Sequence, residues 1–446
     1  MVTSALRHFV AATALVASIA YIAVYSRADG DSPIHSDGYS YYVYLPATLI
    51  YKDASLEALA REWYGGTYPE FTGIRRWPPG NPSGRWLSPH PIGVAILMTP
   101  FFVAADALSW WSNLPRDGFS LYYQHGAALA GLAYFLAGLA LLHRILSRHF
   151  SSGIVLAALV CLTWGTNLFH YGVFDGTFSH AFSFFLICAW LFIVERWWDE
   201  PTMVRSLAVG AIAALIVSTR HTNAIFLLVL PLYGIARASH VRVRIEELWR
   251  RRQPLLVAAL AGFVGLLPQL ALYKWTTGSW LANPYGALEV GFAWGSPRLF
   301  DVLFSTQKGL FFWSPLLLLA VFGGIVSLMT PAAPAPRRNG WTRGLVLAAT
   351  VVFAVETYLV ASWSDWQFGA SYGHRAFTDG LGLAAPFLAR SFEWAAARPL
   401  ASRVVSIVVT GAVLLSIVQM IQYWTGIMPN ANTTWAQYRM LFLRLR

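Results

Sequence analysis

Lysine is almost missing from this chain. Of 446 residues, only Lys52, Lys274 and Lys308 carry an ammonium group, and the remaining positive charge is arginine. Charge of either sign is scarce as well: 12% of residues are charged and 57% are hydrophobic. A soluble protein of this size needs a polar shell that so few charges cannot supply, whereas a helical bundle in a bilayer does not. Two cysteines, Cys161 and Cys188, both lie in apolar runs, so no disulfide framework and no thiolate metal site is expected. Internal repeats and low-complexity tracts are not visible, which disfavours the many transporters built from repeats. The Pro/Ala stretch at 331–338 reads as a linker.

What the chain has instead is long apolar runs. They recur near 6–25, 92–111, 121–142, 153–171, 178–195, 204–219, 222–236, 254–275, 309–329, 342–362, 380–394 and 404–424. Basic connections separate them: Arg144/Arg148, Arg196/Arg205, the cluster from Arg237 to Arg252, Arg337/Arg338/Arg343 and Arg398/Arg403. From 121 onward these fall at every second loop, as short cytoplasmic loops should. The formal charge of +11 is therefore a topology signal, and no nucleic-acid partner is expected. The run at 92–111 contains Pro100, and its uninterrupted apolar part stops at Asp106. Such a stretch is predicted to be juxtamembrane or re-entrant rather than spanning. The first run lacks a small-x-small cleavage site and reads as an uncleaved span.

These readings predict an all-α polytopic membrane protein forming one integral membrane unit over 1–446. It has about eleven transmembrane helices, or twelve if 92–111 spans, with the N-terminus inside. Its outer loops are 26–120, 172–177, 220–221, 276–308 and 363–379. Heavy use of Arg and Ala points to a GC-rich bacterium, hence to the inner membrane. Membrane lipids are the expected surroundings and a monomer the expected state.

The unusual residues collect in the outer loops. Asp37, in "HSDGYSYYVYLP", is equally a helix cap beside an aromatic belt or the base of an enzyme. The following tyrosines suit an amphipathic helix lying in the membrane interface. Asp29 and Asp31 form a DxD too short to mean more than a solvated turn. "HYGVFDGTFSHAF" holds Asp175 with His170 and His180, which a span end facing water would also explain. "STRHTN" leaves Arg220 and His221 between two apolar runs with almost no loop, where polar groups are costly and tend to be functional. Lys308 is equally a phosphate ligand or an interfacial anchor. Asn283, Tyr285 and Glu289 share its loop. "SWSDWQFGASYGHRAFTDG" carries Trp363 and Trp366, able to stack on a sugar or sit in a belt, together with Asp365, Tyr372, His374, Arg375 and Asp379. A belt explains the tryptophans but not the charges. Glu356 is the clearest charge inside a span.

Taken in this order, these features resemble the GT-C glycosyltransferases, which include protein O-mannosyltransferases, aminoarabinose transferases and the oligosaccharyltransferase catalytic subunit. The resemblance is architectural over most of the chain. Locally it rests on Asp37 after the first span, "SPHPIG" with His90, "FDGTFSH", "STRHTN" and "GASYGHRAFTDGL". It implies a GT-C-like bundle that moves a sugar from a polyprenyl-phosphate donor to a hydroxyl of a lipid, glycan or protein acceptor. It further implies Asp37 as the catalytic carboxylate and Asp175 as a second acid. Many relatives pair the first acid with another acid or an Arg, whereas Gly38 follows here. Whether a divalent cation such as Mg or Mn takes part therefore stays open. On this reading Arg375, His374, Lys308 and Arg220 hold the donor phosphate, and His90, His221, Tyr285, Trp363, Trp366 and Tyr372 line the substrate site. The alternatives are a lipid or glycan flippase and a non-catalytic scaffold of envelope assembly.

Overall fold

A chain this apolar satisfies its backbone in a membrane only by coiling, and nearly every apolar run is helical. The computed structural model describes residues 4–25, 32–237, 239–288, 290–329 and 339–445. Asp29, Asp31, Glu289, Arg337, Arg338 and the 331–338 linker lie outside the described residues. Among the described residues, seven helices are long and apolar enough to cross a membrane, beginning at Leu121, Ser179, Arg252, Trp341 and Pro399 besides the two nearest the N-terminus.

The first helix, α1 (Ser4–Tyr25), leads to a segment folded over one end of the bundle. That segment holds three short helices, α2 (Ser36–Tyr42), α3 (Tyr44–Leu49) and α4 (Glu57–Tyr64). An antiparallel ribbon follows, β1 (Arg75–Trp77) with β2 (Arg85–Leu87), in which Arg75 faces Leu87 and Trp77 faces Arg85. The guanidinium of Arg76 lies 4.1 Å from the ring of Trp86 and lends the ribbon a cation–π contact. The interfacial reading of the tyrosine helix fails here: Tyr39, Tyr41, Tyr42 and Tyr44 are all buried. Their rings pack under Tyr68, Phe102 and Phe119, and Tyr42 Oη donates to Gly118 O at 2.6 Å. Three tyrosines on different sides of a seven-residue helix, all buried, fit a core better than a water-facing surface.

Next comes α5 (Gly93–Trp111), continuous through Pro100 and Asp106, contrary to the break expected there. Tyr134 Oη donates to Leu97 O at 3.1 Å beside the proline gap, and Asp106 accepts from Tyr123 Oη at 2.6 Å and Arg116 Nη2 at 2.6 Å. A neighbouring helix thus supports the interrupted backbone, and the aspartate has partners. These contacts lay α5 antiparallel along the first half of α6 (Leu121–Leu146), while Gly93 abuts Ser218.

The bundle continues with α7 (Ser152–Trp164), α8 (Leu168–Val173), α9 (Ser179–Asp199) and α10 (Met203–Thr219). The 222–236 run is not one long helix. It forms 3₁₀ turns over His221–Leu228 and the single turn α11 (Val229–Leu232). Then come the amphipathic α12 (His240–Arg250), the long α13 (Arg252–Thr277), and α14 (Leu299–Phe304), α15 (Leu310–Trp313) and α16 (Leu317–Met329). The last elements are α17 (Asn339–Ser362), α18 (Leu381–Ala396), α19 (Pro399–Trp424) and α20 (Trp435–Leu441).

Small residues let the helices close together. Gly210 of α10 lies against the backbone of Ala258 in α13, and Gly323 of α16 against Phe387 O in α18. The two ends of the bundle differ in chemistry. At one end Glu195 takes Arg148 at 3.1 Å and His149 at 3.1 Å, and His149 stacks 3.9 Å from Trp341. Arg251 donates there to Trp198 O at 2.8 Å, and Arg244 lies 3.7 Å from the Trp198 ring. The arginine-rich connections at 144–148, 196–205 and 237–252 thus meet on one side. The segments around 37, 90, 175, 220 and 375 meet at the other.

Gly323→Ala is expected to lower stability by about 1–3 kcal/mol, because the added methyl meets the Phe387 carbonyl. Gly324→Ala has open space around it and is expected to leave stability unchanged or raise it by up to about 1 kcal/mol. Thermal unfolding of the two variants in detergent checks the contrast.

Candidate active site

Short polar segments at helix ends build the site. Asp37 lies in the first turn of α2, but the cap position belongs to His35, and no side chain caps the helix. Its carboxylate is free to leave the helix and meets Arg375, with Oδ2 2.8 Å from Nη2. Arg375 opens a 3₁₀ turn, Arg375–Thr378, directly after Gly373, whose φ of 59° lets the late loop reverse into the bundle. The late loop and the first loop are therefore joined by charge. Burial opposes ionisation of Asp37 most strongly of any single cause, but Arg375, His90, His180 and Arg220 together hold the carboxyl below its usual range.

Asp37 and Arg375 line a cavity of about 480 Å³. Arg220, His180, His90, His221, Tyr41, Tyr285 and Trp363 line it too. Arg220 follows the last residue of α10, where the chain turns extended, and its Nη1 lies 3.6 Å from Asp379 Oδ2. Asp379 is fully buried behind the cavity wall, with His180 Nδ1 at 2.7 Å and Asn223 Nδ2 at 2.9 Å. Burial again opposes ionisation, and Arg220 and His180 reverse it, keeping the Asp379 carboxyl below its usual range. Asp379 thus fixes Arg220 and leaves the guanidinium facing the cavity. His90 stacks 4.1 Å from Tyr41 and contacts Ser40 Oγ. Burial pushes its pKa down to about 4, against the pull of Asp37, so the ring is neutral near pH 7. His221 lies 2.7 Å from Tyr273 Oη, which holds it at the rim. Tyr285 packs edge-on to Trp363, centroids 5.5 Å apart.

Several residues expected in the site lie elsewhere. Lys308 is 3% exposed, and its ammonium donates to Ser371 O and, at 2.7 Å, to Asn430 O. Backbone carbonyls occupy it, so it anchors the late loop and does not reach the cavity. Burial pushes its pKa down to about 7, with Arg375 adding to the effect. His374 is buried among Phe377, Phe368 and Trp366 with neither ring nitrogen hydrogen-bonded, and burial pushes it down to about 3. The enclosed imidazole does not line the cavity. Trp366 is buried beside it, and Tyr372 is turned inward, its Oη donating to Ser416 O at 3.0 Å. Asp175 sits behind the wall, between His170 Nε2 at 3.0 Å and His35 Nε2 at 3.3 Å. Its carboxyl is held below the usual range by His170 and His35 despite burial, and it ties α2 to the α8–α9 turn.

Of the residues the sequence pointed to, the cavity thus gathers Asp37, Arg375, Arg220, His90, His221, Tyr285 and Trp363. Sequence reasoning gave no site role to Tyr41, read as interface, or to Asn223, adjacent to "STRH". Among the described residues, no group of three or more His, Cys, Asp or Glu side chains is placed to hold a metal ion. No family model, curated protein or solved structure matches the chain significantly.

Lys308→Met is expected to cost about 1–3 kcal/mol of stability, because the two carbonyls lose their donor. It is expected to leave the cavity's ligand affinity within about twofold. Thermal unfolding read beside ligand titration separates this from a direct phosphate contact, which would instead cost affinity by about tenfold or more.

Proposed function

We propose that the protein is an inverting membrane glycosyltransferase of GT-C type, taking its sugar from a polyprenyl-phosphate donor. The observation that carries this reading is the Asp37–Arg375 pair, 2.8 Å apart, inside a cavity with aromatic walls. A second, apolar cleft of about 340 Å³ adjoins that cavity between α16, α17 and α18. Together they suit a ligand with a polar, ring-shaped head and a hydrocarbon tail.

The chemistry follows from which partner each charge has. Arg375 is paired with Asp37. A donor phosphate is the stronger bidentate partner for a guanidinium and draws Arg375 toward itself. Asp37 then loses the charge that depresses its pKa and becomes a stronger base. The acceptor hydroxyl gives its proton to Asp37 as its oxygen bonds to the anomeric carbon. The bond from that carbon to the phosphate oxygen breaks on the opposite side, and its electron pair leaves on polyprenyl phosphate. Arg375 and Arg220 stabilise that charge. Attack from the far face inverts the anomeric centre.

On the same reading the bundle has eleven spans, or twelve if α5 crosses, with the site on the extracytoplasmic side of a bacterial inner membrane. The clustering of arginine connections at the opposite end favours the orientation.

Asp37→Asn is expected to lower kcat by about 10²-fold or more with the folded yield retained. The assay is sugar transfer by purified protein from a polyprenyl-phosphate sugar, and wild-type kcat in the variant would remove Asp37 as base. Ser32→Cys, in the exposed first loop, is expected to react with an impermeant thiol reagent on intact cells. Labelling only after lysis would reverse the orientation.

A further inference from the structure

Glu356 lies in α17 where the polar cavity and the apolar cleft meet, and it lines both. Its side chain is more than nine-tenths buried, the residue being 8% exposed. Every other carboxylate deep at this end has a protein partner: Asp37 has Arg375, Asp175 has two histidines, and Asp379 has His180, Asn223 and Arg220. Glu356 has no hydrogen-bond or ion-pair partner among the described residues. Its Oε2 lies 3.4 Å from the point a Cβ on Gly380 would occupy, so the carboxyl rests against bare backbone at the start of α18. No bond joins it to the first amides of that helix. Phe226 closes the other side.

A buried polar group left without a partner is costly, so the fold keeps this one at a cost it could avoid with leucine. The cost is repaid when a ligand group completes the bond. A phosphate is a poor candidate, since the carboxyl itself repels an anion and the nearby Arg220 is already paired with Asp379 at 3.6 Å. A hydroxyl suits a carboxyl in either protonation state, because it both donates and accepts. We infer that Glu356 is a specificity residue of the cavity, whose carboxyl receives a hydroxyl group on the sugar of the bound lipid. The inference rests on the glycosyltransferase reading and adds a residue that selects the sugar-bearing lipid over the bare carrier.

The test uses the full chain in nanodiscs, with quenching of intrinsic tryptophan fluorescence as the readout. The probes are decaprenyl phosphate and its hexosyl and pentosyl derivatives. Wild type is expected to prefer a sugar-bearing lipid. Glu356→Leu is expected to weaken that lipid by about ten- to a hundred-fold and to leave decaprenyl phosphate within about twofold. Glu356→Gln, which keeps a donor and an acceptor, is expected to restore most of the loss. The inference is overturned if the leucine variant, folded by gel filtration and melting, binds the sugar-bearing lipid like wild type. It is equally overturned if both lipids weaken alike. Wild type binding none of the lipids contradicts the glycosyltransferase reading itself. Dicyclohexylcarbodiimide then decides Glu356 separately: an adduct at this residue supports a ligand-facing carboxyl, and its absence from folded protein rules that out.

Discussion

A charge inside a bilayer-embedded bundle must find an opposite charge or a set of dipoles, and this requirement organises one end of the molecule. Asp37 comes from the first loop and Arg375 from the last, 338 positions later in the chain, and each is the other's nearest counter-charge. Around them, Asp379 holds Arg220 and two histidines hold Asp175. The pairings bring four distant segments together and leave the guanidinium groups of Arg375 and Arg220 facing a common space with the carboxyls of Asp37 and Glu356.

The rest of the fold serves that convergence. Lys308 spends its ammonium on two carbonyls, and so pins the late loop to the segment after α19. The buried tyrosines of α2 and α3 turn the first loop into a packed cap over the bundle. At the far end, Arg244 and Arg251 stack on Trp198 and Arg148 pairs with Glu195. Charge near the site faces a cavity, whereas charge at the other end is paired with Glu195 or stacked on tryptophan. On the proposed function, an anionic donor displaces Asp37 from Arg375 and so switches on the base it needs.

Much of this was legible in the residues. Apolar runs of about twenty residues mark helices because a bilayer leaves the backbone no other choice, and α6, α9, α13, α17 and α19 lie where the runs lie. Arg375 and Asp37 stood out because charges crowd beside glycines at span ends. Contacts across long sequence separations were not legible. Nothing in "STQKGL" says that Lys308 meets carbonyls 63 and 122 residues away. His374, next to Arg375, faces the other way because neighbours in a turn point to different sides. The 222–236 run had the composition of a span, but its polar start folds into 3₁₀ turns around the site. Tyrosines in "YSYYVY" read as interface because composition cannot tell a buried aromatic cap from a belt.

The account's central claim is that Asp37 and Arg375 act as one unit across the two loops. A double-mutant cycle with Asp37→Asn and Arg375→Gln tests it, with unfolding free energies measured in mixed micelles. The structure predicts a coupling of about 1 kcal/mol or more, the double variant losing clearly less than the sum of the singles. Losses that add within about 0.5 kcal/mol would contradict the pairing and, with it, the site.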